Sequence, residues 1–247
     1  MSTLLTTPRT QHQAAAAHSA PRLDLYAPIH KALRSFMSDT LVRVGRIDAA
    51  DADDMRTTLA QCDELLALCE NHVHHENEFM HPAIEARQPA GSARIAHEHK
   101  EHLQSIAELR DEVGTLRAAA ADAAPALALR LYRHLALFVA DDFQHMHIEE
   151  TAHNAALWAH YSDAELMQLH GRLLATIEPA EMLLIARWMV PALTPVERAA
   201  MVGGMQAEAP TDAFLAPLAH VRPHLGAKAW AKLAQTLGLP SGPTRST

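Results

Sequence analysis

The sequence predicts an all-α protein, an antiparallel up-down four-helix bundle with additional C-terminal helices. Three observations predict this class. Alanine, leucine and glutamate are abundant while glycine is rare, with 9 in 247 residues. Apolar residues recur at helical spacing, and prolines stand where helices would begin or end. We assign residues 1–22 to a flexible N-terminal tail, residues 23–161 to the bundle and residues 162–247 to a C-terminal helical region.

Four long helical patterns make up the predicted bundle. The first runs from about Leu23 to Val44, the second begins in the acidic segment DAADADD, the third follows Ser92 and the fourth begins at Pro125. Short connections between such helices favour up-down topology. Polar residues interrupt the predicted inward stripes, which include Tyr26, His30, Leu33 and Met37; Cys62, Cys69, Glu76 and Ala83; Ile95, His99, His102 and Ile106; and Phe138, Asp142, His145, Glu149 and Ala152.

Shorter helices are predicted in the C-terminal region. Asp163 is a candidate cap for the first, Pro179 and Pro195 would open the next two, and two more would follow Asp212 and Gly226. The last segment, LPSGPTRST, is predicted to be a disordered end.

The composition argues against several classes of protein. The formal net charge is -8 and no long basic run occurs, which argues against nucleic acid as a partner. No apolar stretch reaches the roughly 18 residues of a membrane span, and no secretory leader is recognisable. Cys62 and Cys69 lie two helical turns apart and are predicted to be reduced, buried thiols in a cytoplasmic protein, the alternative being thiols near a redox site.

Histidine is the unusual feature, with 18 residues, and two histidine-rich segments form an internal repeat. The segment HVHHENEFMHPAIEA, starting at His72, matches HMHIEETAHNAALWA, starting at His145. Both contain His-x-x-x-Glu, in His72 and Glu76 and in His145 and Glu149. Residues four apart share one face of a helix, so each copy offers an imidazole and a carboxylate to a common centre.

Single histidines on the other two helices complete a predicted metal site. His30 and His99 each precede a lysine and lie on an apolar stripe, and His102 follows on the stripe of His99. Two ionised glutamates in a bundle core would repel one another and cost several kcal/mol unless a cation bound between them. Six further histidines and three acidic neighbours are interpreted as solvated groups or as outer hydrogen-bond partners: His74, His75, His81, His97, His147, His153, Glu78, Glu98 and Glu150.

The donor types indicate the kind of metal. Imidazole nitrogen and carboxylate oxygen without thiolate suit divalent iron, manganese or zinc and disfavour copper(I) or an iron–sulfur cluster. Five imidazoles and two carboxylates exceed the needs of one ion, so two metals are predicted.

On these residues the chain resembles hemerythrin-like proteins of the HHE cation-binding class, over about residues 23–161. The resemblance implies a four-helix bundle around two oxo- or hydroxo-bridged non-heme iron ions that bind dioxygen, peroxide or nitric oxide. The ligands it implies, with both glutamates bridging, are His30, His72, Glu76, His99, His145 and Glu149. His102 is a candidate seventh ligand, although it lies three residues from His99 where oxygen carriers space the pair by four.

We therefore expect a cytoplasmic di-iron protein that binds or reacts with a small oxidant, whether or not it is an enzyme. The alternatives are a sensor that signals through its C-terminal helices and a metal store without a redox role. The apolar residues Leu183, Leu184 and Trp188 predict that these helices pack on the bundle, on each other or on a second subunit. The C-terminal helices would stabilise the fold, cover the metal site or form an interface. Tyr26 is either a core residue or a hydrogen-bond donor to a bound ligand.

Overall fold

The computed structural model describes residues 22–208 and 211–239, and this part of the chain is helical without strands. Apart from Arg22, the predicted N-terminal tail lies outside the described residues, as does the predicted disordered end after Leu239. The α-helices are α1 (Ala27–Gly45), α2 (Ala52–His75), α3 (His81–Glu85), α4 (Ala93–Arg117), α5 (Ala124–Ile148), α6 (Asn154–His160), α7 (Asp163–Leu174), α8 (Pro179–Ala192), α9 (Pro195–Glu208), α10 (Thr211–Val221) and α11 (Ala227–Leu237).

Most helices begin where the sequence predicts. The Asp51 side chain accepts hydrogen bonds from the backbone N–H groups of Asp53 and Asp54 in the first turn of α2. Prolines lie in the first turns of α1, α5 and α8. The predicted cap at Asp163 was wrong by one residue. Ser162 caps α7 in a reciprocal capping box with Glu165, because its hydroxyl reaches the backbone N–H of Glu165.

Helices α1, α2, α4 and α5 surround one apolar core, which we call the main core. Helix α1 packs against α2 and α5, and α4 packs against the same two helices. Buried residues from all four helices meet there, among them Leu33, Phe36, Leu66, Leu109 and Leu135. This burial follows the helical spacing of the apolar residues and confirms the all-α prediction.

The C-terminal helices pack on the rest of the protein and on each other. Helix α8 lies along α1, where the Trp188 ring stacks on Phe36 with centroids 4.1 Å apart. Helices α8 to α11 share a second apolar core that includes Val190, Val202 and Leu233. A third cluster, the end cluster, brings α7 against the preceding helices; its buried members are Tyr26, Met80, Ile84, Leu157, Leu166 and Leu169.

No helix in the described ranges is both long enough and apolar enough to cross a membrane.

The packing of α8 on α1 predicts a stability effect. Trp188→Ala removes the ring that stacks on Phe36, and we expect it to lower the free energy of unfolding by about 2 kcal/mol in urea denaturation. Val196→Ala on α9 is the matched control, because Val196 is 81% exposed and its truncation should change little. Equal effects of the two substitutions would contradict the stacked interface.

Candidate metal centre

Both His-x-x-x-Glu copies lie where an α-helix changes into a π-helical turn. His72 is in the last turn of α2 before the π turn Glu76–Met80, and His145 is in the last turn of α5 before the π turn Glu149–His153. A π turn contains one residue more than an α turn, so it shifts the inward face of the helix that follows. The sequence prediction of an inward Ala152 was wrong for this reason, since Ala152 is exposed and His153 is buried.

The two glutamates occupy the centre of the site, and the first pair of histidines flanks them from α1 and α2. The Nε2 atom of His30 lies 3.8 Å from Oε1 of Glu76 and 3.5 Å from Oε2 of Glu149. Nε2 of His72 lies 3.3 Å from the same Glu76 oxygen. One ligand atom from each of these four residues lies within 4.8 Å of the other three, close enough to hold a metal ion.

A second pair of histidines forms an equivalent group from α4 and α5. Nε2 of His99 lies 3.3 Å from Oε2 of Glu76, and Nε2 of His145 lies 3.2 Å from Oε1 of Glu149. The two Nε2 atoms are only 3.0 Å apart. Both glutamates therefore belong to both groups, which is the arrangement that bridging carboxylates require.

The carboxylate oxygens lack partners of their own. The exposed fractions of Glu76 and Glu149 are 3% and 0%, yet none of their four oxygens accepts a hydrogen bond from any residue that the structure describes. Leaving buried charges in this state is costly unless they neutralise a cation. The nitrogen and oxygen donors around them fit a bound metal ion, so these residues could hold one.

Outer partners orient the imidazoles. The Nδ1 atom of His30 lies 3.2 Å from Oε1 of Glu150, which also pairs with the guanidinium of Arg34. Nδ1 of His99 lies 2.8 Å from Oδ1 of Asn77. When Nδ1 donates its proton to these acceptors, the lone pair of Nε2 faces the glutamates, as metal ligation requires.

His145 on α5 has an outer hydrogen-bond partner of the same kind. Nδ1 of His145 lies 2.9 Å from Oε2 of Glu98, and Oε1 of Glu98 accepts a hydrogen bond from Arg94, 2.8 Å away. Of the two interpretations of Glu98 and Glu150 from the sequence, the geometry matches the outer hydrogen-bond partner. His74 and His147 are exposed, in agreement with a solvated role.

The structure does not bring His102 into the site with the other predicted residues. Among the described residues it belongs to none of the metal-compatible groups. Its Nδ1 lies 3.3 Å from Oδ1 of Asp142, and its ring meets the side of the His145 ring at 4.6 Å. Burial raises the pKa of Asp142 to about 7. The three-residue spacing from His99 explains the difference, because His102 points about 60° away from it around the helix.

Two histidines that the sequence analysis placed outside the ligand set are buried beside it. The exposed fractions of His81 and His153 are 6% and 2%. One ring nitrogen of each lies within 4.8 Å of the other and of a Glu149 oxygen. His81 directly follows the first π turn and His153 is the last residue of the second, so only a prediction of those turns could have placed them inward.

Without metal, the carboxylates retain protons on two imidazoles. Burial lowers the pKa of His30, but the neighbouring Glu150, Glu76 and Glu149 raise it to about 9. The pKa of His145 also rises to about 9, because Glu149 and Glu98 outweigh its burial. A metal ion must displace these protons.

Comparisons of the chain with protein-family models, curated proteins and solved structures found no match. The function must therefore be inferred from the site itself.

The raised histidine pKa values predict how pH affects stability. His30 and His145 titrate near 6.5 when unfolded and about 9 when folded, so their stabilisation is complete below pH 6.5 and is lost as the pH rises through 9. We expect the metal-free protein to lose several kcal/mol of stability across this window, about 3 kcal/mol for each histidine. The metal-loaded protein should lose less, because its imidazoles are already deprotonated. Melting temperatures of the metal-free and metal-loaded protein, measured across this pH range, give the difference in stability loss. Identical pH profiles of the two forms would contradict the raised pKa values of His30 and His145.

The outer carboxylates predict an effect on metal affinity. Glu150→Ala and Glu98→Ala should each weaken metal binding about tenfold or more, because the imidazole that each carboxylate orients becomes free to rotate. Competition with a chromogenic chelator measures the affinity. Glu101→Ala is the control on α4, since its side chain is 66% exposed and pairs with the exposed His97. A loss of affinity in the control as large as in the other two would refute the orienting role.

Proposed function

We propose that this chain is a hemerythrin-like protein of the HHE class, a non-heme di-iron protein that binds or reacts with dioxygen, peroxide or nitric oxide. The observation that carries the proposal is the pair of buried glutamates, each shared between two groups of histidines. The proposal includes an antiparallel up-down four-helix bundle over residues 23–161. The contacts of α1 and α4 with both α2 and α5 support that arrangement.

In this proposal the histidines divide between the two irons. His30 and His72 would hold one ion, His99 and His145 would hold the other, and Glu76 and Glu149 would be shared by both ions. Donors of this kind also accept manganese or zinc, but iron supplies the redox chemistry that a small oxidant requires. His102 is left out of this ligand set, because it belongs to none of the metal-compatible groups among the described residues.

The protein around the pair would position the ligands and exclude water. Glu150 and Glu98 orient imidazoles from opposite sides of the site. The end cluster packs Leu166 and Leu169 of α7 against Tyr26, whose hydroxyl lies 3.3 Å from Nδ1 of His153. These contacts support the proposal that α7 covers one end of the metal site and slows the access of solvent.

A sensor is the second candidate, because the C-terminal helices contact the helix that carries His30. Helix α8 packs along α1, and Lys31 forms an ion pair with Glu197 of α9 at 2.6 Å. A shift of α1 on metal or gas binding would displace α8 and α9. A protein partner or a second copy of the chain bound to these helices would then detect the change. Free, buried Cys62 and Cys69 agree with the proposed cytoplasmic location.

Reaction of the anaerobic ferrous protein with oxidants separates the candidates. A stable new absorption band with dioxygen indicates carriage or sensing, whereas rapid turnover of peroxide indicates an enzyme. Absence of both reactions in a fully loaded protein would contradict the proposed oxidant chemistry and leave a metal store.

The bridging role predicts metal stoichiometry. Glu149→Ala or Glu76→Ala should remove more than one equivalent of iron per chain, because each glutamate serves both ions. His74→Ala is the control, since His74 lies on the same helix as His72 and is exposed. Iron and protein assays after desalting give the ratio. Retention of at least one firmly bound iron by both glutamate variants would contradict bridging. An equal loss of iron in the control would move the ligand pair to His74 and Glu78.

A further inference from the structure

A third group of metal-compatible residues lies beside the two groups described above. It consists of His81, His153 and Glu149, and one ligand atom of each lies within 4.8 Å of the other two. All three residues are buried. Bonds of about 2.1 Å place the ligands of one ion roughly 3 to 4 Å apart, so a small contraction would close this group around a cation. We call it the accessory group.

The orientations of the rings separate the accessory group from the proposed metal pair. The rings of His81 and His153 stand perpendicular to each other, with centroids 5.5 Å apart. The ring of His81 instead stacks on that of His99, with centroids 4.8 Å apart and planes 11° from parallel. Imidazole lone pairs lie in the plane of the ring, so perpendicular rings can converge on one ion and stacked parallel rings do not. His81 and His99 therefore do not ligate the same ion.

The donor atoms of the accessory group have lone pairs available. Nε2 of His81 and both carboxylate oxygens of Glu149 are buried without a hydrogen-bond partner in the part of the chain that the structure describes. Buried polar atoms in this state indicate a missing partner. Nδ1 of His153 lies 3.3 Å from the Tyr26 hydroxyl. When Nδ1 donates its proton to the hydroxyl oxygen, Nε2 of the neutral ring keeps a lone pair for a cation.

A cation should bind more weakly in the accessory group than between the two glutamates. The accessory group contains a single carboxylate, and its His153 ring faces a neutral hydroxyl. The rings of His30 and His145 face carboxylates, which make an imidazole a stronger ligand. Cations at neighbouring positions also repel each other. The accessory group should therefore hold an ion only until the pair is complete.

We propose that His81, His153 and Glu149 form an accessory site that holds one divalent cation and passes it to the metal pair. Glu149 belongs to all three groups, so its carboxylate can stay bound to the ion while the histidine ligands change. Transfer to the pair rests on the proposed function, whereas binding at the accessory site does not.

Glu76→Ala isolates the accessory site, because Glu76 belongs to both groups of the pair and not to the accessory group. Equilibrium dialysis with Co²⁺ as the probe should find one weakly bound ion per chain in this variant. Adding His81→Phe or His153→Phe should weaken that binding about tenfold or more, since a direct ligand should matter at least as much as an outer partner. Adding His97→Phe is the control, because the side chain of His97 is 73% exposed.

Loading kinetics test the transfer in a chain that keeps Glu76. Metal-free protein is mixed with excess Co²⁺, and the absorption of the bound ion is followed with time. His81→Phe and His153→Phe should each slow loading severalfold and still reach the two ions per chain of the unaltered protein. His97→Phe should load at the unaltered rate. His153→Gln keeps a polar group next to Tyr26 and takes the place of His153→Phe if the latter does not fold.

The outcomes separate this proposal from the proposed function. A final content below two ions in His81→Phe or His153→Phe would make these residues ligands of the pair and would overturn the accessory site. Absence of bound Co²⁺ in Glu76→Ala, or an affinity that neither histidine substitution changes, would overturn it as well. Unaltered loading rates in both histidine variants would refute the transfer. An iron-loaded chain inert to oxidants would refute the proposed oxidant chemistry and leave the Co²⁺ results unaffected.

Discussion

The structure depends on two carboxylates that face each other in a buried helical core. Glu76 and Glu149 cannot both remain ionised there without compensation, because desolvation and mutual repulsion act together. Four imidazoles surround them, and two of these imidazoles gain protons when no metal is present. The buried carboxylates therefore require positive charge nearby, which either protons on the imidazoles or bound cations can supply. Bound cations would also provide partners for the four carboxylate oxygens.

The surrounding layers follow from that constraint. Outward-facing Nδ1 atoms need acceptors, and Glu150 and Glu98 provide them from neighbouring helices. Each of these carboxylates is held in turn by an arginine, Arg34 or Arg94. Below the polar layer the main core is apolar, so hydrophobic burial stabilises the helices that hold the ligands in register.

The sequence was informative about the centre and less so about its edges. The repeated His-x-x-x-Glu spacing places His72, Glu76, His145 and Glu149 on inward faces, because four residues make about one turn of an α-helix. The same assumption fails after the glutamates, where π turns rotate the helix. The local residue types do not predict a π turn, so the burial of His81 and His153 could be recognised only from the three-dimensional structure. His102 lies on the predicted stripe but meets Asp142 instead of the glutamates.

The central claim is that the two buried glutamates bridge two irons. Mössbauer spectroscopy of the chain reconstituted with iron-57, combined with iron and protein assays, tests it most directly. The account predicts two ferric ions per chain in one magnetically coupled pair after oxidation. A single iron per chain, or two irons without magnetic coupling, would contradict it.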